Sequence, residues 1–234
     1  MRIKFKIYFT LFICLLIQHT KGLAQASTDL WVMDTEGKGG NLKLLPATAK
    51  PLTNRPEYDN QPSFINDSEL IFSAADAKGN NDLILYSFRT QKFTNLTQSP
   101  DRSEFSPSIT ECGSYFSAIV VEPDGTQRLW LYPITGEAPE LLYDDIFPVG
   151  YYDFYDGKAA LFVLGEPNFL VYVRGKGMVD TLDTDIGRTV KKRPTTPEIS
   201  YLDRKKSQET SQGKAFSIAT VNLKTGIKKE YGYA

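Results

Sequence analysis

An all-β fold assembled from repeated four-stranded antiparallel units is what the sequence predicts, and three observations predict it. A Pro-Ser-hydrophobic motif returns after 45 residues, at Pro62-Ser63-Phe64 and again at Pro107-Ser108-Ile109. Short runs of bulky aromatic and β-branched residues recur down the chain, too short for buried helices. Between them Gly, Asn and Asp cluster where tight turns require positive φ. Four strands in a unit of about 40 to 45 residues mark the blade of a β-propeller.

The chain opens on Met1-Arg2-Ile3-Lys4-Phe5-Lys6, followed by an apolar run of 11 residues from Ile7 to Ile17 and a small-residue exit through Gly22, Ala24 and Ala26. This reads as a secretory signal peptide over residues 1–26, cleaved after Ala24 or Ala26. Crossing a bilayer takes roughly 20 apolar residues, so no integral membrane span is expected. Cys14 lies inside the apolar run, away from the cleavage point, which argues against lipid attachment. The mature protein is expected in the periplasm or secreted.

A partial unit follows at residues 29–53, with Leu30-Trp31-Val32-Met33 as its apolar strand. Full units are expected at 57–99, 103–144, 149–184 and 192–233, each with an inner polar-to-apolar strand and a second, strongly apolar one. The third strands are Leu83-Ile84-Leu85-Tyr86, Leu129-Trp130-Leu131-Tyr132, Leu170-Val171-Tyr172-Val173 and the weaker Phe216–Val221. The fourth strands, such as Phe93-Thr94-Asn95-Leu96-Thr97, are more polar and suit an outer edge that faces water. The wholly polar stretch from Arg204 to Lys214 reads as a solvated hairpin loop. Four and a half blades are thereby expected, an incomplete six-bladed ring whose free strand edges would favour self-association.

Composition excludes much chemistry. Cleavage after residue 26 removes four of the 27 basic residues and none of the 28 acidic ones, leaving a net charge of −5. A nucleic-acid partner, which needs a basic surface to displace counterions, is not expected. The same cut removes the only histidine, His19, and leaves Cys112 as the one cysteine. Ser-His-Asp and Cys-His nucleophile systems, His metal ligation and an intramolecular disulfide all fall with them. Cys112 itself reads as a small buried or half-buried residue. No cofactor or metal is expected.

Asn60-Gln61-Pro62-Ser63-Phe64, continuing through Asn66-Asp67-Ser68-Glu69-Leu70-Ile71-Phe72-Ser73, resembles the repeat of the TolB-like (WD40-like) β-propeller family. Ser106-Pro107-Ser108-Ile109 through Arg128-Leu129-Trp130-Leu131-Tyr132 resembles it too, although Glu111-Cys112-Gly113 departs from the family's turn. The resemblance covers residues 57 to 143 well and is loose afterwards. It implies a propeller outside the cytoplasm. Only a few residues lie between the cleavage point and the first strand, so the α/β domain that precedes the propeller in the family's namesake is not expected.

Propellers bind at the mouth of the central channel, where the loops entering the inner strands converge. The candidate ligand-binding residues there are Tyr58, Asp59, Asn60, Arg102, Glu104, Tyr151, Tyr152 and Arg193, a mixture of aromatic, carboxylate, amide and guanidinium groups suited to a peptide or sugar. The competing interpretation is that these residues cap strands and pair with one another. The function expected is a non-enzymatic binding or scaffold module for an envelope or extracellular protein, peptide or glycan. Two alternatives stand beside it. One is a carboxylate-based saccharide enzyme using Asp59 and Glu104, since glycosidase carboxyls lie about 5 to 10 Å apart. The other is the propeller of a larger peptidase.

Overall fold

The computed structural model describes residues 27–234, and the expected signal peptide lies outside them. A short N-terminal piece comes first, with β1 (Trp31–Val32) paired to β4 (Lys50–Pro51) around the two-residue strands β2 (Thr35–Glu36) and β3 (Lys43–Leu44). Four antiparallel sheets follow, each joining its strands in chain order. Blade one holds β5 (Asp59–Asn66), β6 (Glu69–Ala75), β7 (Asn81–Ser87) and β8 (Lys92–Asn95). Blade two holds β9 (Ser103–Ile109), β10 (Tyr115–Val121), β11 (Gln127–Pro133) and β12 (Glu140–Leu141). Blade three runs through β13 (Val149–Tyr155), β14 (Lys158–Val163), β15 (Phe169–Gly175) and β16 (Met178–Thr184). Blade four comprises β17 (Ile186–Lys192), β18 (Glu198–Thr210), β19 (Gly213–Asn222) and β20 (Lys228–Tyr233). The four blades are arranged as a β-propeller.

Packing explains why the second and third strands are apolar throughout. Side chains alternate across a strand, and blades one to three are covered on both faces by a neighbouring blade or the N-terminal piece, whereas blade four packs its core residues toward blade three. In β14, Ala159 and Leu161 join Ile119 and Leu129 of blade two, while Ala160 and Phe162 join Ile199 and Tyr201 of blade four. In β6, Ile71 packs with Ala118 of blade two, and Leu70 and Phe72 pack beneath Leu30 of the N-terminal piece. The core is therefore a series of layers between successive blades. Outer strands carry the opposite signature, and every residue of β20 is exposed.

Polar contacts lace the same interfaces. Ser73 Oγ donates to the Glu104 carbonyl (2.6 Å) between blades one and two. The Tyr152 hydroxyl reaches the Ser106 carbonyl and Ser117 Oγ, both at 2.9 Å, between blades two and three. The Lys192 N–H donates to Asp153 Oδ2 (2.8 Å) between blades three and four.

Three local expectations change. Blade four begins at Ile186 and not at 192, because β17 follows β16 after the single residue Asp185. The polar stretch from Arg204 is ladder rather than loop: β18 and β19 continue through it to the pair Thr210–Gly213, fully solvated yet hydrogen-bonded strand to strand. Cys112 is exposed in the β9–β10 turn, where its sulfur lies 3.3 Å from Thr110 Oγ1.

Candidate functional site

Each innermost strand is interrupted near its start. Register shifts occur in β5 between Asn60 and Ser63, in β13 between Val149 and Tyr151, in β17 between Ile186 and Val190, and in β10 opposite the Ser106-Pro107 step of β9. Such bulges turn a strand locally and re-aim its side chains. Gln61 (φ 56°) and Ser106 (φ 52°) sit in the left-handed region at these points, each just before the repeated proline. Their side chain and backbone meet: the Ser106 N–H donates to Gln61 Oε1 at 2.7 Å.

The bulges converge on one cavity of about 270 Å³ in the channel, lined by Gln61, Ser106, Gly150 and Arg188 from the four blades together with Phe105, Tyr151 and Phe162. A cavity of about 290 Å³ shares Phe162, Leu164 and Arg188 with it, and two still larger ones, of about 420 and 620 Å³, lie elsewhere, one beside the N-terminal piece and one between blades one and two. The polar groups of the two largest already satisfy one another, as in the pairs Arg55–Asp59, Asn95–Asp82 and Arg102–Asp101. In the channel the position differs. Arg188 is exposed and has no hydrogen bond or ion pair among the described residues. Gln61 has its amide oxygen occupied by Ser106, which leaves its NH2 outward as a donor.

Of the residues expected at the mouth, Tyr151 lines the cavity, its ring edge-on to Phe162 at 5.7 Å. Tyr58 is half-buried nearby against Phe105 at 6.4 Å, and Asn60 accepts the Gln61 N–H through Oδ1 (2.7 Å). Arg102 lies over the Trp130 ring at 5.5 Å and pairs with Asp101. Tyr152 is buried between blades two and three. Arg193 belongs to the β17–β18 hairpin, at the other end of that strand from the mouth, where it holds Glu198 and the Tyr231 hydroxyl, each at 2.9 Å.

The two carboxylates occupy equivalent places but do not offer themselves to a ligand. Asp59 is 1% and Glu104 0% exposed. Arg55 clasps Asp59 with Nε 2.9 Å from both carboxylate oxygens. Glu104 instead accepts from the Tyr132 hydroxyl (3.1 Å) and from Thr97 Oγ1 (3.2 Å). The next equivalent position, 45 residues on, is the fully buried Val149, which matches a packing role for this site in the blade.

Among the described residues no cation faces Glu104 at hydrogen-bonding distance, and burial pushes its pKa up, with the Asp82 charge adding to the effect. A folded-state pKa above the unfolded one contributes stability that is complete below the ordinary glutamate value and is lost as pH rises through the raised one. Glu104→Gln keeps the shape without the charge. It should stabilise the protein at pH 7 by about 1 kcal/mol and abolish this component of the pH dependence. Urea unfolding of both proteins at pH 4 and pH 7 measures it, and an equal difference at the two pH values would refute the assignment.

No family model matches the chain, and no curated protein matches it in sequence. Solved structures do. TolB from Acinetobacter baumannii superposes with a TM-score of 0.60 at 16% identity, over 82% of this chain and 48% of TolB, so this chain spans about half of TolB's length. A chain of the nidogen/laminin complex gives 0.61 at 11% identity, over 89% of this chain and 90% of its own length. Puromycin hydrolase gives 0.60 at 12% identity, over 88% of this chain and 36% of the hydrolase. What is shared with all three is the propeller fold. That agrees with the repeat motif at the level of fold, and fold does not settle role.

The sequence-based candidates leave out Gln61, Ser106, Gly150 and Arg188, although Gln61 and Gly150 adjoin the candidates Asn60 and Tyr151 in the loops entering the inner strands. A signal for the first two was present, because they immediately precede the repeated prolines and stand one 45-residue step apart. Gly150 and Arg188 lack that signal, since the bulges of β13 and β17 lack the proline.

Proposed function

We propose that the protein is an exported, non-enzymatic β-propeller binding module that receives a protein or peptide at the mouth of its channel. The observation that carries this reading is the convergence of inner-strand bulges from all four blades on one cavity. Its Arg188 guanidinium and Gln61 NH2 have no partner among the described residues, as expected of a recognition site. Two features support a role without catalysis: the chain after residue 26 contains no histidine, and Asp59 and Glu104 are buried and engaged. Export rests on the N-terminal signal pattern.

Site-specific photocrosslinking tests it. A photoreactive residue in place of Tyr151, at the cavity, should give a discrete adduct in cells, whereas one in place of the exposed Lys92 on an outer strand should not. Adducts equal at both positions, or absent at 151, would reject the channel as the binding site. A second reading, the propeller portion of a larger peptidase, draws on the likeness to puromycin hydrolase, of which this chain spans about a third. Coding DNA continuing past codon 234 into a hydrolase domain would favour it.

A further inference from the structure

The channel mouth has an unusual balance of hydrogen-bonding groups, and it carries an inference about the ligand that rests on the reading of this cavity as the binding site. The guanidinium of Arg188 has no partner among the described residues, the Gln61 amide presents its NH2, and the hydroxyls of Ser106 and Tyr151 make no hydrogen bond there. Every one of these can donate. No carboxylate lines the cavity.

The acidic residues of the inner strands are spent elsewhere. Asp59 is held by Arg55, Glu104 by the hydroxyls of Tyr132 and Thr97, and Asp153 by the Lys192 N–H, with Lys191 Nζ 3.9 Å away. Of the other basic residues of β17, Lys192 is paired with Glu111 and Lys191 lies beside Asp153, toward the end of the strand away from the mouth. Arg188 is thus the positive charge at the cavity of a chain that carries a net charge of −5 beyond residue 26. A low-dielectric wall lined by one sign of charge concentrates ligands of the other sign.

We propose that the cavity recognises a carboxylate on a peptide, with Arg188 as the charged anchor and Gln61 and Tyr151 as neutral donors beside it. The guanidinium fork matches a carboxylate in two parallel N–H···O bonds, which fixes direction as well as charge. The half-buried rings of Phe105 and Tyr151 beside it favour a peptide, whose neighbouring apolar side chain they can cover, over a uronic-acid sugar. The carboxylate has two sources, the peptide's C-terminus or an Asp or Glu side chain.

The probe is a set of fluorescent hexapeptides ending in Phe-Asp, Phe-Glu, Phe-Asn or Phe-Gln, each with a free or an amidated C-terminus, read by anisotropy against the wild-type protein and Arg188→Gln. Because Arg188 is exposed, the substitution should leave the fold intact, which circular dichroism checks. Peptides with a carboxylate should bind wild type and lose affinity about tenfold to a hundredfold in Arg188→Gln, while fully neutral peptides should not respond. Loss on amidation alone assigns the C-terminus, and loss on Asp→Asn or Glu→Gln alone assigns a side chain. Equal binding of charged and neutral peptides would overturn the carboxylate proposal and leave the channel as a binding site. Binding of an oligogalacturonate with no binding of any peptide would overturn the peptide class. The photocrosslinking above reports separately on the channel, so the two readings fail by different results.

Discussion

Replacing Arg55 with alanine is expected to cost the fold about 3–5 kcal/mol, because it strands a buried carboxylate. The Asp59 side chain has no exposed surface and Arg55 is the cation that touches it, through Nε at 2.9 Å and Nη2 at 2.5 Å. The same Nη2 also donates to the Ala75 carbonyl at 2.8 Å, so the guanidinium ties the loop before β5 to the end of β6. The reciprocal change is milder. Arg55 is 36% exposed and can turn to water when Asp59 is removed, so Asp59→Ala should cost about 1–3 kcal/mol. Changing both, as in Arg55→Met with Asp59→Leu, should cost less than Arg55→Ala alone, since no charge is then left buried. Urea midpoints of the three variants decide it, and an Arg55→Ala cost below about 1 kcal/mol would mean that Asp59 is not a buried anion.

Phe162→Ala is expected to be of similar size, about 3–5 kcal/mol, for a different reason. Phe162 is 1% exposed and fills the layer between blades three and four, with Leu170, Ile199 and Tyr201 around it. It also forms part of the channel wall, where it meets Tyr151. Gly150, beside Tyr151, closes on the same ring: a Cβ at position 150 would lie 3.0 Å from Phe162 Cδ1 and 3.1 Å from Leu164 Cδ1. Gly150→Ala should therefore destabilise the wild type yet cost less, or recover stability, in the Phe162→Ala background. Non-additivity of that sign in a double-mutant cycle marks a direct steric contact. Simple additivity would show that the ring and the bulge are independent.

Asp59 and Glu104 were legible as equivalent positions, because repeat spacing reveals equivalence. Their direction was not, since it depends on which neighbours share the space: Arg55 in one blade, Tyr132 and Thr97 in the next. Sequence pattern places Arg193 at the mouth because it stands at the start of the expected last unit, 192–233. The bulged strand β17 begins earlier, so Arg188 stands there instead. In each instance local pattern supplied the position along the strand, and the packing of adjacent blades supplied the orientation.

Composition and periodicity alone establish that the chain is all-β, that it is built in units of about 45 residues, and that histidine chemistry is absent after residue 26. These follow from local physics: alternation, turn residues and residue count act over a few positions and need no partner. The two buried carboxylates are engaged by Arg55, four positions away, and by Thr97 and Tyr132, seven and 28 away, while the channel cavity and the place of Arg188 in it belong to contacts between residues roughly 40 to 130 positions apart. Such contacts exist only once four blades stand side by side, where inner-strand bulges and interblade packing decide which side chains meet water and which meet each other.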